Sequence, residues 1–306
     1  MTTLAFDAGA DPILERRARI QQVAAASLKR RKATSTVAIA ICWLFLAIAI
    51  VPLVWVLAYV VVKGLPAWNV DFFTKVTVPE GIPGGGVWNA IVGTVEIGLV
   101  ATAVTVPVGL LCGLFLAESD GRVAAAIRFT ADVMTGVPSI TIGIFGYIAI
   151  VKTVSNGAYS ALAGAFAIGV IMLPVIMRAG ETAIRGVPSQ LSEAALALGP
   201  GGATTARRVV VPAALPGIIT GVLLAVARGL GETAPLLLTI FGNQYLQWNP
   251  TKPMDALPVV IYNNSSQPYA DLLQVAWGAA LLLVVVVLIL SIGSRVLAAV
   301  LQREKR

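Results

Sequence analysis

Residues 37–62 form an apolar run without one charged side chain, and that run limits the folds open to the chain more than any other feature. A helix needs about 20 apolar residues to cross the hydrocarbon core of a bilayer. Inside that core every backbone N–H and C=O must find its partner within the protein, and a helix supplies those partners locally. The run lacks the small-residue cleavage site of a removable signal, so it is expected to remain as a span. Five further apolar stretches follow, at residues 87–116, 134–151, 161–177, 215–241 and 272–297. The expected fold class is an all-α integral membrane protein with six transmembrane helices. Pro107 is expected to tilt or kink the second span. Pro138, in Gly136-Val137-Pro138-Ser139-Ile140 near the start of the third, frees a carbonyl that needs another partner.

The connecting segments assign the sides. With the N-terminus inside, 17 of the 22 Lys and Arg fall in cytoplasmic segments and four in outer loops, with Arg228 inside a span. Basic residues near span ends stay in the cytoplasm, so both termini are expected there. The net charge of +7 has the same origin, since seven basic residues crowd between Arg16 and Lys32; nucleic acid is not needed to explain it. Residues 1–36 read as a basic cytoplasmic segment, with a helix from Pro12 through Leu28 that either lies on the membrane or belongs to a partly disordered tail. Residues 37–300 form the membrane domain and 301–306 a cytoplasmic tail. Residues 118–128 and 152–159 read as short turns. Residues 63–86 carry Trp68, Phe72 and Phe73, which suit the membrane interface. Residues 242–271 form a broken extracytoplasmic segment that dips into the membrane or lies across the top.

Composition excludes several chemistries. Charged residues are 12% of the chain, about half the share usual in soluble proteins. Histidine is absent, which removes a Ser-His-Asp triad and any histidine metal site; no metal is expected. Cys42 and Cys112 lie in apolar runs and read as small buried hydrophobes. A phosphate-binding loop needs glycine before its Lys-Thr, yet Lys152-Thr153 follows Val151. If ATP drives this chain, another subunit binds it, and the chain itself is no enzyme.

Between the fourth and fifth spans lies a polar interruption, residues 178–214, with an ordered pattern. Glu193-Ala194-Ala195-Leu196-Ala197-Leu198-Gly199 is followed by Val209, Val211 and Pro212. Pro188-Ser189 is expected to start a helix, the serine oxygen accepting from free N–H groups, and Gly199 to end it in the left-handed conformation. Small alanines on such a helix let another backbone approach closely, and Glu193 offers one charged contact. The pattern resembles the cytoplasmic E-A-A loop of ABC-importer membrane subunits, with valines where that family often has Ile and Leu. The resemblance implies a type I ABC importer permease fold, and a coupling helix at Glu193, Ala194, Ala195 and Gly199 that sits in a cleft of a separate ATPase.

A second resemblance lies in the fifth span. Ala227-Arg228-Gly229-Leu230-Gly231-Glu232-Thr233-Ala234-Pro235-Leu236-Leu237, with Asn243-Gln244 and Leu257-Pro258-Val259, is similar to the A-type membrane subunits (PstA) of phosphate-specific ABC transporters. It implies a multi-pass permease of a bacterial plasma membrane that imports phosphate by alternating access. The partners implied are a second permease (PstC-like), two ATPase subunits (PstB-like) carrying ATP and Mg, and an extracytoplasmic phosphate-binding protein. Arg228 and Glu232 are expected on the substrate pathway, four residues apart on one helical face, together with Ser139 and Thr141. Glu96 is not expected from the family pattern and is a candidate intramembrane partner for Arg228. The rival classes are a secondary transporter, which often carries inverted repeats and acidic ion sites, and a membrane scaffold, which needs no ionisable pair in a span. Sulfate and molybdate permeases share the E-A-A loop, and only the Arg-x3-Glu-x2-Pro run separates them from phosphate.

Overall fold

The computed structural model describes residues 12–79, 81–82 and 84–303. The outer ends of the expected N-terminal segment and tail, residues 1–11 and 304–306, lie outside the described residues. Two compact units divide at Tyr59 and Val60. The first is built on helix α1, Pro12–Gly64, whose apolar side chains in residues 37–56 are mostly exposed. Basic segment and first span are thus one helix, not a surface helix followed by a span. No Gly or Pro interrupts residues 29–36, and the Thr36 hydroxyl donates back to the Lys32 carbonyl (3.0 Å) without breaking the ladder. Cys42 is exposed rather than buried, and Cys112 is half-buried.

The second unit continues through α2 (Val70–Thr74), α3 (Trp88–Glu118), α4 (Arg122–Gly136), α5 (Ser139–Gly146) and α6 (Ala161–Arg185). It then runs through α7 (Ser189–Ala197), α8 (Gly202–Thr205), α9 (Val211–Leu230), α10 (Ala234–Thr239), α11 (Leu257–Ser265) and α12 (Ala270–Arg303). Among the described residues five helices are long and apolar enough to cross a membrane, and a bent pair, α4 with α5 and its π-helical extension to Lys152, makes a sixth crossing if counted as one span.

Helix α6 is the hub. In its most apolar window 67% of the residues are buried within the protein, against 22–28% for α3, α9 and α12. Between apolar helices in lipid the hydrophobic effect supplies no attraction, so close approach of small residues has to hold them. A methyl group at Gly113 of α3 would sit 2.8 Å from the Met177 carbonyl oxygen, and one at Gly221 of α9 would collide with the Ala179 methyl. On this seam Ile97, Ala101, Ile168, Met172, Ile176, Ala225 and Leu236 form the main core.

Several expected boundaries move. The third span does not run straight through residues 134–151: α4 and α5 meet at 103°. Pro138 lacks an N–H, and its ring pushes Val137 out of the helical region to φ −71°, ψ 131°. The Met134 carbonyl is taken by the Val137 N–H at 3.3 Å. The supposed turn at 118–128 is mostly the first half of α4, with Arg122 and Arg128 on it. The fourth span reaches Arg185, so the first residues of the expected loop are helical. The fifth span breaks after Leu230. Residues 242–271 fold back as α11, whose Leu257, Pro258, Val259 and Val260 are buried in the protein. The Leu257 N–H donates to Thr94 Oγ1 on α3 (2.8 Å).

Candidate functional site: a substrate cavity and a coupling helix

Arg228 stands in the last turn of α9, and Gly231 caps the helix with its N–H on the Arg228 carbonyl. Glu232 therefore lies beyond the helix and not on its continuing face. Its Oε1 is still 3.9 Å from Arg228 Nε, a loose pair in which the arginine side chain is 56% exposed and the glutamate 19%. The two line a cavity of about 150 Å³ with Ser139, Ile142, Val175 and the C-terminal end of α4 (Met134, Thr135, Val137). Ser139 is brought to the arginine because the turn at Pro138 points the start of α5 toward it. Thr141 is exposed on α5 and does not line this cavity.

Glu96 and Arg228 are not brought together. Glu96 lines a separate groove with Trp88, Ile91, Val95, Leu99 and Trp248, and among the described residues Arg228 pairs with Glu232. The face of α3 near the end of α9 carries Ile97 and Gly98, the latter packed on Leu230. Glu96, one residue earlier and so about 100° round the helix, looks elsewhere.

The second site is α7. Among the described residues none of its side chains is buried. Glu193 and Ala194 are exposed and Ala195 half-buried, while Leu191, Leu196 and Leu198 add exposed apolar surface. The expected serine cap is not made: Pro188 holds the cap position without a side-chain bond, and Ser192 Oγ donates to the Ser189 carbonyl instead (3.2 Å). Gly199 does turn left-handed, at φ +93°.

Two arrangements were not read from the sequence. Glu181, with 9% of its side chain exposed, is held by Arg128 of α4 at 2.7 Å and by Arg178 at 3.1 Å and Arg185 at 3.5 Å of α6. Asp120 binds Arg185 (2.7 Å), and that guanidinium holds its carboxyl below the usual range. In the sequence the arginines served only as topology markers and the two carboxylates had no reading, and only the packing of α4 on α6 reveals the cluster. Ahead of α11, Asn89 Nδ2 donates to Thr77 Oγ1 (3.0 Å), to the Asn243 carbonyl (2.8 Å) and to Asp255 Oδ2 (3.3 Å). Burial pushes the Asp255 carboxyl up to about 7. Beside it a polar cavity of about 530 Å³ is lined by Asn243, Gln244, Tyr262 and Asn264. This cavity is roomier than the one at Arg228, but its named lining offers amides and no fixed cation.

Residues 105–306 match the family described as binding-protein-dependent transport system inner membrane component. The chain belongs to this family. It is a multi-pass inner-membrane protein with the type I importer permease fold. The permease is 39% identical to the phosphate transport system permease protein PstA of Haemophilus influenzae over 87% of this chain and 94% of that one. It is 37% identical to PstA 1 of Mycobacterium tuberculosis, strain H37Rv, over 90% and 91%. Among solved structures, a chain of the bacterial alginate ABC transporter in complex with an alginate-bound periplasmic protein superposes with a TM-score of 0.58 at 14% identity, covering 82% of the permease and 92% of that chain. A chain of the inward-facing MetNI methionine ABC transporter does so at 0.55 and 20% identity, covering 70% and 93%.

Proposed function

We propose that this permease is the A-type membrane subunit of an ATP-driven importer of inorganic phosphate and forms half of the translocation pathway beside a second, homologous permease. The observation that carries the reading is Arg228, a half-exposed guanidinium facing a small cavity inside the membrane domain, in a chain whose relatives bear the name of phosphate permeases. A phosphate dianion leaving water for a low-dielectric passage needs a positive group. Arginine stays charged there and offers a planar fork to two oxygens. Glu232 holds the guanidinium when no anion is present, and its loose contact lets phosphate compete. Ser139 adds a hydroxyl at the cavity wall. A site of this kind binds weakly, because tight binding would stall release.

Energy comes from outside the chain. Helix α7 docks in a cleft of an ATPase subunit that binds ATP and Mg. ATP closes the ATPase pair, the two coupling helices follow, and the spans rock so that the cavity opens outward. There it receives phosphate from an extracytoplasmic binding protein. The test is uptake of radiolabelled phosphate against sulfate in a strain lacking this gene. Complementation restores phosphate uptake and not sulfate uptake, and removing the ATPase subunits abolishes it. Uptake that survives their removal overturns the ATP-driven reading, and restored sulfate uptake overturns the substrate.

A further inference from the structure

The same four residues join α4 to α5 and α6 to α7, Gly136-Val137-Pro138-Ser139 and Gly186-Val187-Pro188-Ser189. Both prolines break their helix in the same extended conformation, near φ −57° and ψ 134° at Pro138 and φ −56° and ψ 133° at Pro188. Beyond the first break lies α5 with Ser139 of the Arg228 cavity; beyond the second lies the coupling helix α7. Just upstream of both breaks the two helices are bolted together by charge. Glu181 receives Arg128 across the interface, and Arg178 of α6 reaches back to Asp132 of α4 at 2.5 Å. Arg128 and Arg185 also both donate to the Leu116 carbonyl near the end of α3 (2.5 and 3.1 Å).

We propose that α4 is a lever that carries movement of the coupling helix to the Arg228 cavity, with Glu181 as its positioning residue. The proposal rests on α7 being the coupling helix. Its far arm is in place: Met134, Thr135 and Val137 at the end of α4 form part of the cavity wall. Thus α6 passes directly into α7, the charge cluster fixes α4 to α6, and α4 touches the cavity. Apolar packing would hold two helices at least as firmly, since ions taken out of water forfeit hydration. The cluster supplies something packing does not, a shared set of partners. Glu181 serves three arginines, Arg178 is divided between Glu181 and Asp132, and both Arg128 and Arg185 are divided between Glu181 and Asp120. Asp120 and Asp132 keep 83% and 65% of their side chains in solvent. A guanidinium can therefore pass from one carboxylate to the next as α4 shifts along α6, and no bare charge is left in either position. Such repacking of ion pairs is how sliding helices acquire discrete states.

The experiment uses the complete transporter in proteoliposomes, with phosphate uptake and ATP hydrolysis measured on the same preparation. Glu181→Gln is expected to keep ATP hydrolysis and to lower phosphate moved per ATP by roughly tenfold, within the range of known coupling energies, and Glu181→Asp to recover part of the ratio. If both activities fall together with assembled protein and the ratio holds, Glu181 is an anchor and the proposal is overturned. Should Glu181→Gln fail to assemble, Asp132→Asn, altered at a largely exposed side chain, decides in its place: a lowered ratio supports the lever and an unchanged one overturns it. Glu193→Lys is run in parallel. Normal transport by Glu193→Lys sinks the coupling reading itself, whereas loss of transport there with a normal ratio in Glu181→Gln sinks the lever alone.

Discussion

Replacing Arg228 by glutamine separates a substrate charge from a structural one, because the geometry predicts how little the fold depends on it. Two unit charges 3.9 Å apart attract by about 4 kcal/mol at an effective dielectric of 20. The arginine is 56% exposed, so most of this is screened, and pairs of this kind are worth about 0–1 kcal/mol. Arg228→Gln is therefore expected to insert and assemble as the wild type does. The cost falls on the anion. A charge-assisted hydrogen bond contributes about 1.5–3 kcal/mol, so losing even one such bond to phosphate slows passage by roughly tenfold to 150-fold. The assay is phosphate uptake per assembled complex, with complex quantified by pull-down through the ATPase. Arg228→Lys keeps the charge and loses the fork, and is expected to fall between. An Arg228→Gln protein that assembles and transports at the wild-type rate refutes the reasoning and makes the arginine structural.

Gly199→Val forces a β-branched residue to φ +93° with nothing within 4 Å of the new Cβ, so the strain is purely conformational, about 1–2 kcal/mol. The expected result is normal insertion with loss of ATPase co-purification. At Gly113 the new Cβ meets the Met177 carbonyl oxygen at 2.8 Å and the Glu181 nitrogen at 3.0 Å, backbone atoms that cannot rotate away. Gly113→Ala is expected to lose about 1–3 kcal/mol and lower the unfolding temperature in detergent, whereas Gly121→Ala, which meets nothing, leaves it unchanged. Asp255 favours its neutral form when folded, with a pKa of about 7 against 3.8. Its stabilisation is fully present below pH 3.8 and is lost as pH rises through about 7. Thermal stability of the wild type should fall between pH 3.8 and about 7 and level off above, and Asp255→Asn should flatten the fall; equal slopes in both proteins would discount the carboxyl.

The sequence made depth legible and left direction hidden. Long apolar runs located α3 and α12 to within two turns at both ends, and α6 and α9 at their starts, because lipid imposes both length and composition. The same measure ran straight through Pro138 and Gly231, where the chain stays apolar and turns. It also mistook the charged first half of α4 for a turn, since Glu118, Asp120, Arg122 and their neighbours resemble a solvated loop until Arg128 is seen against Glu181 of α6. Gly199 was legible because only glycine is at ease at its φ. Ser139 lines the Arg228 cavity and Thr141 does not for one reason: the resemblance supplies residues, but only the bend decides which wall of α5 faces Arg228. The Glu96 pairing failed similarly, since depth along two helices says nothing about their faces.

The two hidden breaks, at Pro138 and Gly231, both flank the Arg228 cavity, the part to which the proposed function gives work. Spans that rock as rigid rods must absorb the change at their ends, so a transporter needs turns where a simple anchor would have continuous helix. At Gly231 the consequence is chemical. Had α9 continued, Glu232 would lie one turn above Arg228 on the same face, in steady contact with it. Arginine before glutamate is the weaker order for such a pair, but the contact would still occupy the guanidinium. The helix instead ends at Leu230, and Glu232 N–H bonds to the Gly229 carbonyl (3.2 Å). The carboxylate is left at the limit of ion-pair distance, and the guanidinium stays more than half exposed. One glycine at a helix end thus converts a closed structural pair into an arginine that is balanced in charge yet open to an anion.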